Sequence, residues 1–97
     1  MTPTEKKYAK ILGNLYWENV SFYDRETSSY VDDKQLVMVT KLYRRYGESG
    51  DYYYQLQILQ SPAGYNKIEG REFKGMRAKR FEELTNNERG GWFVLAS

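Results

Sequence analysis

Tyr8, Ile11, Leu12 and Leu15 recur at three- and four-residue intervals, a spacing that predicts one apolar stripe along a helix. Thr2 offers a capping hydroxyl, Pro3 suits the first helical position, and Glu5 follows Thr2 at capping-box spacing. The helix is therefore expected over residues 3–12, with Gly13-Asn14 as its stop. The pattern then changes. Residues 15–24 (LYWENVSFYD) are rich in aromatic and β-branched types and read as a strand, and the polar stretch from Asp24 to Lys34 reads as a loop. Residues 35–46 (QLVMVTKLYRRY) and 52–60 (YYYQLQILQ) flank the five-residue turn Gly47-Glu48-Ser49-Gly50-Asp51, which predicts a hairpin ended by Ser61-Pro62-Ala63-Gly64. Phe73, Met76, Phe81 and Leu84 give residues 72–85 a helical face, with Gly75 allowing the helix to start as late as Met76. Asn86-Asn87 and Gly90-Gly91 end it, and the short apolar run Trp92–Ala96 reads as a strand buried on both faces. The expected order is α-β-β-β-α-β: one α+β domain over residues 1–97, an antiparallel sheet of about four strands with helices packed on one face.

The faces of the hairpin follow from strict alternation. A five-residue turn pairs Tyr46 with Tyr52, Arg44 with Tyr54, Leu42 with Leu56 and Thr40 with Ile58. Leu36, Met38, Leu42, Tyr54, Leu56 and Ile58 then form the core face. The opposite face carries Lys41, Tyr43, Arg45, Tyr53, Gln55 and Gln57. If the first strand buries Tyr16, Val20 and Phe22, Trp17 and Tyr23 join that second face. Aromatic rings, amides and cations on one surface fit three descriptions. The first is an ordinary half-exposed sheet, where Tyr suits the pleat and long cations cover apolar area. The second is nucleic-acid contact, with rings stacking on bases and Arg or Lys meeting phosphate. The third is a protein interface, in which Tyr, Trp and Arg dominate binding energy.

Charge distribution favours the second description over the third by a small margin. The formal net charge is +2, but Lys34, Lys41, Arg44 and Arg45 form one basic block, and Arg71, Lys74, Arg77, Lys79 and Arg80 form another. Arg77, Lys79 and Arg80 on the expected second helix are candidate auxiliary contacts, against the plainer reading of a solvated face with local pairs such as Lys79 with Glu83. The α-β-β-β-α order, with Ala78-Lys79 in a basic helix, resembles the double-stranded-RNA-binding domain in outline. The chain departs from that family where Gly75 and Met76 stand in place of its two lysines, where no loop carries its His, and where a further strand follows the helix.

Composition narrows the chemistry sharply. The chain has no Cys and no His, which removes disulfides, the usual zinc ligands and both common routes to an activated nucleophile. No metal site, cofactor or catalytic residue is expected. The remaining enzymatic reading is a small nuclease: Glu72-Phe73-Lys74 has an E-x-K spacing that needs a further carboxylate from Asp51 or Asp32-Asp33, and a toxin-like ribonuclease would rely on Tyr, Lys and Arg alone. The longest apolar run falls far short of a membrane span, and the polar first residues lack a secretory hydrophobic region, so a cytoplasmic setting is expected. The overall expectation is a non-catalytic binding protein that contacts nucleic acid or a nucleoprotein machine through the Tyr/Trp/Arg/Lys-bearing sheet face. A protein–protein inhibitor or adaptor of the phage or mobile-element type is the alternative, and a homodimer through the sheet face or the terminal strand is a third arrangement.

Overall fold

The computed structural model describes residues 2–45, 51–63, 65, 73–85 and 91–96. Helix α1 (Pro3–Ala9) is followed by strands β1 (Leu15–Asp24), β2 (Ser29–Arg44), β3 (Tyr52–Gln60) and β4 (Phe73–Arg77), then by helix α2 (Ala78–Thr85) and strand β5 (Phe93–Leu95). All pairings are antiparallel, and the sheet order is β4-β3-β2-β1-β5. The α+β class and the antiparallel sheet with helices on one face agree with the sequence expectation; a fifth strand is added. Among the described residues, no helix is long and apolar enough to cross a membrane.

Both helices pack on the same face. Tyr8 and Ile11 from the α1 region, and Ala78, Phe81 and Leu84 from α2, meet Tyr16, Val37, Val39, Tyr54, Leu56 and Phe93 in one core. Phe81 is its hub, with ring centroids 5.0 Å from Tyr16, 5.4 Å from Tyr54 and 4.6 Å from Phe93. The short helix α1 fully buries no residue within its own span, and its polar groups add to the packing of Tyr8 in holding it. Thr2 caps it by accepting from the Glu5 amide at 3.2 Å, as its sequence spacing predicts. The Tyr54 hydroxyl donates to the Tyr8 carbonyl at 2.7 Å, and the Tyr52 hydroxyl donates to Glu5 Oε1 at 3.1 Å. Gly13, at φ +88°, then turns the chain so that its amide reaches the Val39 carbonyl at 2.7 Å.

The sheet is strongly curled, and a polar cluster shows it. Glu18 on β1 is only 4 % exposed. Its carboxylate accepts from Gln35 Nε2, from Trp92 Nε1 at 3.3 Å and from Lys74 Nζ, with which it forms an ion pair. Lys74 lies on β4, three strands away, a separation of about 14 Å in a flat sheet. That exceeds the reach of a lysine side chain, so β4 and β1 must approach across the inner face. The Lys74 ammonium also sits 5.7 Å from the Phe93 ring centroid on β5. The sequence carried a mark of this cluster: Glu18 falls between Tyr16 and Val20 on the core-facing parity of β1.

Several expectations require correction. Residues Ser29–Lys34 belong to β2 and not to a loop, because they pair with Asn19–Asp24 in a two-stranded ribbon beyond the end of β3. The hairpin pairs Leu42 with Tyr54 and Arg44 with Tyr52, a register shifted by two from the one that a five-residue turn over residues 47–51 implies; residues 46–50 lie outside the described residues. A β-bulge between Val39 and Lys41 overturns the assignment of Leu36 and Met38 to the core. Thr40 is the extra residue, and its hydroxyl donates to the Gln55 carbonyl at 3.0 Å. Side-chain phase changes there, so Val37 and Val39 are buried, Leu36 and Met38 face outward, and Leu42 returns to the core side. Phe73–Arg77 is a strand and not the first part of a helix, since β3 offers an open edge for it to pair with. Strand β5 is not buried on both faces: it forms the sheet edge, with Phe93 buried and Val94 and Leu95 exposed.

Candidate binding face

With both helices on the inner face, the outer face of the sheet has no helix over it. The pairing registers place its side chains in rows across the strands: Tyr43, Tyr53 and Arg77 in one, Lys41, Gln55 and Gly75 in the next, then Leu15, Met38, Gln57 and Phe73, then Trp17 and Leu36. Lys41, Tyr43, Tyr53, Gln55 and Gln57 thus share the face expected from the sequence, because a register shift of two preserves parity. Arg45, just beyond β2, joins them.

The tyrosine pair is the centre of this surface. The Tyr43 and Tyr53 rings stack with centroids 5.8 Å apart and planes 23° from parallel. The Arg45 guanidinium lies 5.4 Å from the Tyr53 centroid, and Arg77 Nε donates to the Tyr53 hydroxyl at 3.4 Å. This Arg77 hydrogen bond is the main reason the Tyr53 phenol is held below its ordinary pKa, against partial desolvation, with Arg45 adding to it. The same contact raises the Arg77 guanidinium further. Asp51 approaches Arg77 at 3.8 Å.

Gly75 sets the posture of Tyr43. A Cβ on Gly75 would stand 2.8 Å from the Tyr43 hydroxyl. Gly75 sits two strands from Tyr43, about 10 Å laterally at ordinary strand spacing. A tyrosine side chain covers that distance only by leaning over β3, so the ring lies toward the sheet, partly exposed. Beside it, Lys41, Tyr43, Gln55, Phe73, Lys74 and Gly75 line an open depression of about 410 Å³.

Other expected site residues are placed separately. Trp17 is half-buried on the outer face, where it pairs with Leu36 on one side and Val94 on the other. Tyr23, 51 % exposed, stands at the far end of the β1–β2 ribbon, edge-on to Tyr30 at 5.3 Å, and does not join the Tyr43–Tyr53 cluster. Arg77 belongs to β4 and not to the basic helix, which is why it reaches Tyr53. Lys79 and Arg80 are exposed on α2, the helix that packs on the inner face, and Arg80 pairs with Glu83 at 3.5 Å. Of the nuclease arrangement, Glu72 lies outside the described residues, while Lys74 is committed to Glu18. Among the described residues, no three of Asp and Glu come together as metal ligands would. Reading by residue type missed the apolar belt formed by Leu15, Leu36, Met38 and Phe73, because the bulge that turns two of them outward is not marked in the sequence. No family model, curated protein or solved structure matches the chain.

Proposed function

We propose that the protein binds single-stranded nucleic acid on the outer sheet face. The observation that supports this reading is the Tyr43–Tyr53 stack lying on a helix-free sheet with Lys41, Arg45 and Arg77 around it. A solvent-facing ring gives an unpaired base a stacking surface, and stacking of this kind is tolerant of sequence. The cations stand where the backbone of such a strand passes, and their attraction to phosphate is the sequence-independent part of the affinity. Duplexes hide their base faces, so the same surface discriminates against them.

Anisotropy titrations with labelled single- and double-stranded oligonucleotides test the reading. Single strands are expected to bind more tightly than duplexes. With about three phosphate contacts, log K should fall with log salt at a slope of about −2. Tyr53→Ala and Arg45→Ala should each weaken binding and leave the thermal midpoint nearly unchanged. No binding at low salt, or binding that ignores salt and both substitutions, would refute it.

A protein partner is the second reading, and the observation favouring it is the apolar belt. Trp17, Leu36, Met38, Phe73 and Val94 carry it across the outer face from β5 to β4. Capture of a protein that survives high salt and is lost on Trp17→Ser but not Arg77→Ala would put this reading first.

A further inference from the structure

The depression beside the tyrosine stack has a chemistry of its own. Gly75 forms part of its floor, where the absence of a side chain makes room for the Tyr43 hydroxyl to reach across to β4. Tyr43 and Phe73 contribute aromatic surface to the lining, and Phe73 is 46 % exposed although it belongs to a strand. At about 410 Å³ the depression falls within the size range of small-ligand sites.

Its polar groups are unevenly matched. Gln55 presents an amide with both donors and an acceptor and can satisfy either kind of base edge. Lys41 presents an ammonium, which only donates. Lys74 also lines the depression, but its ammonium is turned to Glu18 on the inner face. Lys41 is exposed and makes no ion pair among the described residues, and no carboxylate lines the depression.

From this we infer that the depression is a slot for a single unpaired base, selective for keto bases (guanine, uracil or thymine) over amino bases (adenine or cytosine). The inference rests on the nucleic-acid reading of the same face. A keto oxygen accepts from the Lys41 ammonium. An exocyclic amino group at the same position turns a donor toward a cation, and either the contact or the hydration of the cation is lost. Phosphate contacts by Arg45 and Arg77 carry no such information, so selectivity and overall affinity are separable.

The test compares octamers of uridine and of cytidine, which differ in a keto against an amino group at the same ring position. Wild type should bind the uridine octamer about tenfold more tightly, the scale of one good base-edge contact. Lys41→Met keeps the length of the side chain and should bring that ratio close to one. Arg45→Met should weaken both octamers alike and leave the ratio intact. Thymidine and deoxycytidine octamers should repeat the preference, since the slot reads the base and not the sugar. Equal binding by wild type, a preference for cytidine, or a preference that survives Lys41→Met would each overturn the slot while leaving strand binding in place. Failure of every octamer to bind would overturn the slot together with the nucleic-acid reading on which it rests.

Discussion

Replacing Lys74 with Met keeps most of the aliphatic stem and removes the ammonium that joins β4 to β1. The carboxylate it leaves is 4 % exposed, so water cannot take the place of the lost partner. Removing one member of a buried ion pair typically costs about 3–5 kcal/mol. Glu18 retains its bonds from Gln35 and Trp92, and the Lys74 side chain is already 32 % exposed, which puts the cost near the lower end of that range. For a domain of this size, a loss of about 3 kcal/mol corresponds to a thermal midpoint lowered by about 12–24 °C. It is also a large part of the total stability of a typical domain. The measurement is urea unfolding at neutral pH, followed by circular dichroism and by the fluorescence of Trp92 and Trp17. The double variant Glu18→Gln with Lys74→Met separates the ion from the packing. Its neutral amide still accepts from Trp92, and it should regain about 1–2 kcal/mol over the single variant. The reasoning is refuted if Lys74→Met costs less than about 1 kcal/mol, or if the double variant is no more stable than the single one.

Three further outcomes follow from contacts described above. Tyr53 should ionise before an ordinary tyrosine in an ultraviolet titration of the folded protein, and Arg77→Met should remove that early step; an unchanged titration curve would contradict the Arg77 contact. Burial raises the Tyr54 pKa above its ordinary value, so the folded state holds this proton more tightly than the unfolded chain. The stability it contributes is complete below the unfolded value of about 10 and is lost as pH rises beyond it. Tyr54→Phe should lower stability by about 1 kcal/mol at neutral pH through the orphaned Tyr8 carbonyl. It should also reduce the alkaline decline, so urea midpoints of the two proteins converge above that pH; parallel curves would count against the assignment. Gly91→Ala would bring a Cβ to 2.5 Å from the Leu84 carbonyl and 3.1 Å from that of Phe93, both backbone atoms, and should cost about 1–3 kcal/mol in the unfolding midpoint.

How much of this was legible in the sequence depended on how local the cause was. The α1 cap could be read because Thr2, Pro3 and Glu5 carry it within four positions. The outward parity of Trp17, Tyr43 and Tyr53 was legible from alternation in strands that run unbroken through those residues. Alternation failed between Val39 and Lys41, where Val-Thr-Lys contains no Gly or Pro to mark the bulge. Phe73 and Met76 were misassigned because their three-residue separation suits a helix. In the strand they point to opposite faces, and the pairing with β3 outweighed the periodicity. Gly75 was the available hint, being unfavourable in a helix and useful in a strand crossed by another ring. The Glu18 cluster needed Lys74 and Trp92, partners 56 and 74 positions away, which no local pattern connects.

The pairing of β5 with β1 has a consequence for the order in which this fold comes together during synthesis. The β1–β2 and β2–β3 ladders join neighbouring segments and can form as the chain lengthens, whereas β5 completes the edge of β1 from more than seventy positions downstream. Until residues 91–95 have left the ribosome, the backbone of Tyr16–Glu18 lacks its outer partner and the Glu18 carboxylate lacks the Trp92 donor. A nascent chain that has already made its meander therefore carries an open, aromatic strand edge beside an incompletely satisfied acid. Residues 91–95, once they emerge, both seal that edge and complete the hydrogen bonding of the acid, making the finished core conditional on a segment far downstream of the strands it joins.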